Sequence, residues 1–100
     1  MVRAFVLVDT LPGREKDVFN SLGKVPSVIL KRMLKEKVGN AEIIVLLETP
    51  DPDGVDKILT GQVRGISGVH TVRKVQTHHT LVGPILKVMD EMEREAPKPR

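Results

Sequence analysis

The sequence contains no cysteine, no tryptophan and no tyrosine, and Phe5 and Phe19 are its only aromatic side chains. Without cysteine, disulfides, thiolate nucleophiles, zinc ribbons and cysteine-ligated clusters are excluded. With two phenylalanines, the stacking platforms that hold single-stranded nucleic acid are missing, so an RNA-recognition surface is not expected. Long apolar runs are also missing. The longest, residues 4–8 and 43–47, have five residues each, against the roughly 20 that a helix needs to span a bilayer. No membrane contact is expected, and the first residues lack the apolar region and cleavage site of a secretory signal, so a cytoplasmic location is expected. There is no glycine-rich phosphate loop, and Ser21, Ser27 and Ser67 lie in no nucleophile elbow.

What is present fits one soluble domain. One hundred residues, 40% hydrophobic and 29% charged, suffice for a single core and leave no room for a two-domain enzyme with a cleft between its halves. The net charge of +3 is small, but its placement is uneven. Residues 24–37 hold five bases and one acid, and residues 42–56 hold five acids and no base, so the two blocks are expected to attract each other, within or between chains. The cluster of Lys31, Arg32, Lys35 and Lys37 has the character of a phosphate-backbone footprint. A solvated strand face is the commoner origin of such a pattern.

Residues 3–9 are apolar on both side-chain parities, as in a strand covered on both faces, and residues 42–48 repeat the pattern. Both read as central strands. Between them, Val18, Phe19, Leu22 and Val25 recur at helical spacing, giving a first helix over about residues 13–24 that Pro26 closes. Residues 27–38 fit a helix and a strand about equally well, and the pattern does not choose between them. Gly39-Asn40-Ala41 reads as a hairpin connection. Asp51, Pro52 and Asp53 form a helix start, with a cap, a first-turn proline and an acid facing the dipole. Val55, Ile58, Leu59, Val63 and Ile66 then draw an apolar stripe that Gly68 ends, with Gly61 and Gly65 as packing glycines. Residues 69–82 read as an edge strand. Pro84 opens a last helix with a stripe of Ile85, Val88, Met89 and Met92.

The order strand, helix, strand, strand, helix, strand points to an α+β, ferredoxin-like βαββαβ fold. It has a four-stranded antiparallel sheet, two helices on one face, and an extra C-terminal helix. The right-handed crossover rule places the first and third strands in the middle, where the doubly apolar runs are. The expected organisation is a domain over residues 1–83, an amphipathic helix over 84–95 and a loose tail over 96–100. Two helices shield one sheet face only, so the other needs a second chain or the C-terminal helix. A homodimer or larger ring through the sheet faces is expected.

Ala4-Phe5-Val6-Leu7-Val8, Pro12-Gly13-Arg14-Glu15, Gly39-Asn40-Ala41-Glu42, and Ile66-Ser67-Gly68-Val69 followed by residues 75–81 together resemble a known family. The chain looks like the stand-alone ligand-binding (RAM) domain of the Lrp/AsnC transcription regulators, over residues 2–83. The resemblance implies a non-catalytic oligomeric module that binds an amino acid or related small effector. Backbone amides of Gly39, Asn40, Ala41 and Glu42 would meet the ligand carboxylate, and the hydroxyls of Thr77 and Thr80 would meet its charged groups. The family commonly has an aromatic residue and Asp where this chain has Ala41 and Glu42. The implied partners are other copies of the chain, a small-molecule effector and a full-length Lrp/AsnC-type regulator. Direct, sequence-specific DNA binding is not expected, because the helix-turn-helix half of those regulators is absent.

Two other readings stand beside this one. A small dimeric α+β-barrel enzyme of the monooxygenase or isomerase type would use a strand histidine, His78 or His79, as general base. A nucleic-acid accessory protein would show steeply salt-dependent binding. No cofactor and no metal site are expected: His78 and His79 are adjacent in a strand, so their rings point to opposite faces.

Overall fold

In the middle of the sheet, β1 (Val2–Thr10) and β3 (Ala41–Thr49) pair antiparallel from Val2 opposite Thr49 to Val8 opposite Ile43. In a computed structural model that describes residues 1–75 and 83–98, the four-stranded sheet has the order β2 (Val28–Val38), β3, β1, β4 (Val69–Lys74). Both central strands have apolar side chains on each parity, because each face of the sheet meets a helix layer. The doubly apolar runs therefore sit where the crossover rule placed them.

The undecided stretch is a strand, β2 (Val28–Val38), antiparallel to β3. Buried backbone groups along β3 need ladder partners on both sides, and β1 supplies one side only. The imperfect alternation of β2 has a structural cause. Its register against β3 slips between Val28 and Leu30 and again between Met33 and Val38, and each extra residue reverses the face on which the next side chain lies. Val28 thus packs on one side of the sheet, and Ile29, Leu30, Leu34 and Val38 pack on the other.

One face is sealed by α1 (Glu15–Leu22), α2 (Pro52–Ile58) and the π-helical turn Leu59–Val63 that continues α2. Val6, Val8, Ile43, Val45 and Leu47 of the sheet are buried there against Val18, Leu22, Val55, Leu59 and Val63. Asp51 caps α2 as its sequence suggests, its carboxylate accepting the Gly54 amide at 2.9 Å, with Pro52 in the first turn.

The helix expected to run unbroken to Gly68 leaves α geometry after Ile58. The Arg64 amide bonds the Leu59 carbonyl at 3.0 Å, five residues back. The Thr60 hydroxyl donates to the Asp56 carbonyl at 2.9 Å, a bond that bends helices, and Gly61 beside it contributes no helical preference. Gly61 is not the packing glycine expected, since a Cβ there would meet nothing within 4 Å. Gly65 is not one either, because a Cβ there would touch only the backbone oxygens of Gly61 and Gln62, at 3.4 and 3.7 Å. The tight positions are Gly54 and Gly68. A Cβ on Gly54 would lie 2.9 Å from Thr49 Cβ, and one on Gly68 (φ +97°) would lie 2.9 Å from Arg14 Cβ.

The other face is covered within the same chain. Phe5, Leu7, Ile44 and Leu46 are buried against Ile85 and Met92 of α3 (Gly83–Glu95), with Val88 and Met89 packed alongside. Of the two covers the sequence allowed for this face, the C-terminal helix is the one in place. The strand expected over residues 69–82 is β4 (Val69–Lys74), an edge paired with β1. The remainder of that range from residue 76 on lies outside the described residues.

Within the chain, no ion pair joins the basic block to the acidic block among the described residues. Arg32 turns to α3 instead, while Glu48 pairs with Arg3 and Asp56 with Lys74. Lys31 donates to the Phe19 carbonyl at 2.7 Å and lies 4.2 Å from the centre of its ring. Among the described residues, no helix is long and apolar enough to cross a membrane.

Candidate functional site

The β2–β3 turn supplies the first half of the site. Gly39 has φ +61°, a left-handed conformation that costs other residues about 1 kcal/mol or more. The hairpin reverses there, and the slipped register of β2 pairs Val38 with Ala41.

Ala41 is buried with Leu7 and Ile44, on the α3 face of the sheet. A cavity of about 210 Å³ opens at this end of the sheet, lined by Leu7, Asp9, Asn40, Ala41, Thr71 and Arg73. Its walls come from three neighbouring strands, because Asp9 lies opposite Thr71 and Leu7 lies opposite Arg73. The Thr71 hydroxyl donates to Asp9 Oδ2 at the long distance of 3.5 Å. Arg73 lies over the turn, its Nη2 3.6 Å from where a Gly39 Cβ would be. Among the described residues, Arg73 and Asp9 form no ion pair.

The structure thus brings Asn40 and Ala41 into one cavity and places Gly39 at its rim. Glu42 is not among the lining residues. Its carboxylate accepts the buried Thr10 hydroxyl at 3.0 Å. Near it, Glu15 accepts the Gly13 amide at 3.2 Å. Hydrogen bonds from the Glu15 and Gly13 amides hold the Glu15 carboxyl below the usual value, slight desolvation opposes them, and Glu42 and Lys37 add smaller lowering effects. Thr77 and Thr80, like His78 and His79, lie outside the described residues.

Sequence reasoning missed Asp9, Thr71 and Arg73. A signal existed: Asp9 and Arg73 are the charged residues on strand positions whose neighbours on the same face are Leu7 and Val75. No group of three or more metal-ligating side chains occurs among the described residues.

A two-helix layer on one sheet face, strand order β2-β3-β1-β4 and a pocket at the hairpin turn can now be set beside known proteins. No family model matches the chain. It is 27% identical over 77 residues to the HTH-type transcriptional regulator FL11 of Pyrococcus horikoshii, an alignment covering 75% of this chain and 49% of FL11. The chain spans about half the length of that relative. The crystal structure of FFRP-DM1 superposes with a TM-score of 0.65 at 27% identity, covering 75% of this chain and 96% of that one.

A transcriptional regulator of Neisseria meningitidis, solved in complex with L-Met, shares the fold. It has a TM-score of 0.63 at 17% identity, over 86% of this chain and 58% of its own. The resemblance drawn from the sequence is borne out: the chain has a ferredoxin-like fold and is similar to the RAM-like domain of Lrp/AsnC-type regulators.

Proposed function

We propose that the chain is an effector-binding regulatory module with no catalysis of its own. It takes an amino acid or a related small metabolite at the cavity beside the β2–β3 turn. The observation that carries this reading is that Asn40 and Ala41, two of the residues the family resemblance selects, line a polar-rimmed cavity of about 210 Å³. The relatives support it: FL11 is a transcriptional regulator, and the Neisseria regulator sharing the fold is an L-Met complex.

The module works as a homodimer or larger ring and acts together with a full-length Lrp/AsnC-type regulator. Assembly is favoured by α3, where Leu86 remains 46% exposed.

A thermal-shift screen across the amino acids, read with light scattering for mass, tests the proposal. A bound effector raises the melting temperature by mass action, by about 2.7 kcal/mol of stability at a hundredfold excess over Kd. A transition that no compound moves would remove the effector-binding reading. A particle of monomer mass at all concentrations would remove the assembly.

A further inference from the structure

Among the described residues, the cavity is lined by one cation and one anion that form no ion pair with each other. Arg73 and Asp9 both line it, on adjacent antiparallel strands two positions out of register, with Leu7 opposite Arg73 and Thr71 opposite Asp9. Such diagonal positions have their backbones roughly 7–8 Å apart. An α-amino acid offers both side chains their counterpart, because it carries a carboxylate and an ammonium on a single carbon. The glycine at position 39 gives the guanidinium its place: Arg73 Nη2 is 3.6 Å from the point a Cβ would occupy, so the turn backbone and the guanidinium border the same space. A planar fork of N–H donors beside a turn's amides is a carboxylate receptor.

We propose that Arg73 is the specificity-determining residue of this site, taking the effector's α-carboxylate while Asp9 takes its α-ammonium. This assignment rests on the effector-binding reading above and narrows it to compounds carrying both groups unmodified. Neutral amides, esters and N-acylated compounds are excluded, because each leaves one charged wall of the cavity without its counterpart.

The test is titration calorimetry of the wild-type chain with each of the L-α-amino acids, then with the α-carboxamide of the tightest binder. Arg73→Gln, Arg73→Lys and Asp9→Asn are titrated alongside. Arg73 is exposed on an edge strand, so the melting temperature of Arg73→Gln should match the wild type. Its affinity for the amino acid should fall roughly tenfold or more, the scale of a lost charge-assisted pair. Arg73→Lys should recover part of that loss.

The diagnostic readout is the acid-to-amide ratio. Wild type should prefer the free acid at least tenfold, and Arg73→Gln should bind acid and amide alike, a coupling that a merely structural role would not produce. Wild-type affinity in Arg73→Gln, or an amide that binds wild type as well as the acid, overturns the assignment and leaves effector binding standing. If no amino acid binds the wild type, the functional reading and this assignment fall together.

Discussion

The two faces of the sheet are equally apolar, but they are covered by different means. On the α1 and α2 side, ten buried residues from the sheet and its helices form one aliphatic cluster. The helices are built into the chain path between strands, so neither can leave without unthreading a connection. On the other side, among the described side chains, α3 contributes two that are fully buried, Ile85 and Met92. A cavity of about 600 Å³ opens between α3 and β2, walled by Met33, Leu34, Val38, Ile85 and Val88 among others. An ionic clamp compensates: Arg32 on β2 bonds Glu91 at 2.8 Å and Glu95 at 2.5 Å. The first face holds by buried area and topology. The second holds by less area plus a charge pattern, so its cover is the part of the molecule most able to open on its own.

Removing buried volume from each face should break that comparison most sharply. Leu47→Ala on the α1 and α2 side should cost about 3 kcal/mol of global stability, as core leucine truncations do. Met92→Ala should act mainly on the docking of α3, with a smaller shift of the urea midpoint. Amide exchange resolved by helix separates the two effects. After Met92→Ala, α3 amides should exchange faster while α1 amides keep their protection. If both substitutions moved the midpoint equally and left α3 as protected as α1, the two faces would be one cooperative unit.

The clamp itself offers a smaller test of the same difference. Pairing with Glu95 holds the Arg32 guanidinium above its ordinary value, burial works against this, and Glu91 adds to it. Arg32 is therefore charged at every working pH, and salt weakens the clamp by screening. Its partners are about half exposed, which limits its worth to about 1 kcal/mol. Arg32→Gln should speed α3 exchange at low salt, and high salt should erase most of the difference from wild type. A salt-independent difference would mean that Arg32 acts through the packing of its stem.

How much of this was legible in the sequence depended on whether one rule or several governed a residue. β1 and β3 were plain because apolar side chains on both parities have few explanations other than a central strand. Asp51, Pro52 and Asp53 announced their helix because capping is local chemistry. β2 was illegible because its register slips at two places, and a period read along the chain does not survive a slip. Arg32 read only as part of a basic cluster, and its partner lies 59 residues away at Glu91.

The turn half of the candidate site was readable, since glycine and asparagine between two strands imply a reversal. Arg73 was not: a lone arginine on an edge strand is ordinary, and what distinguishes this one is a missing side chain at Gly39. The turn of Glu42 toward Thr10 could not be foreseen either, because Thr10 lies at the slip in the pairing of β1 with β4.

The smallest effect probes how the well-anchored face begins. Arg14, the residue before α1, makes no capping bond with its side chain, and Glu15 serves instead by accepting the Gly13 amide. Its carboxyl lies below the usual 4.5, held there first by the amides of Glu15 and Gly13. A carboxylate whose folded value is depressed stabilises the fold above its unfolded value, and the contribution is lost as pH falls through the folded value. Glu15→Gln should therefore lower stability slightly at neutral pH and remove part of the decline seen below about pH 4.5. The group is fully exposed, so the effect should be smaller than that of Arg32→Gln. Urea midpoints measured against pH for both chains check it, with curves that converge in acid as the expected result. Parallel curves would show that the α1 start is held by packing alone, which would make the difference between the two faces wider still.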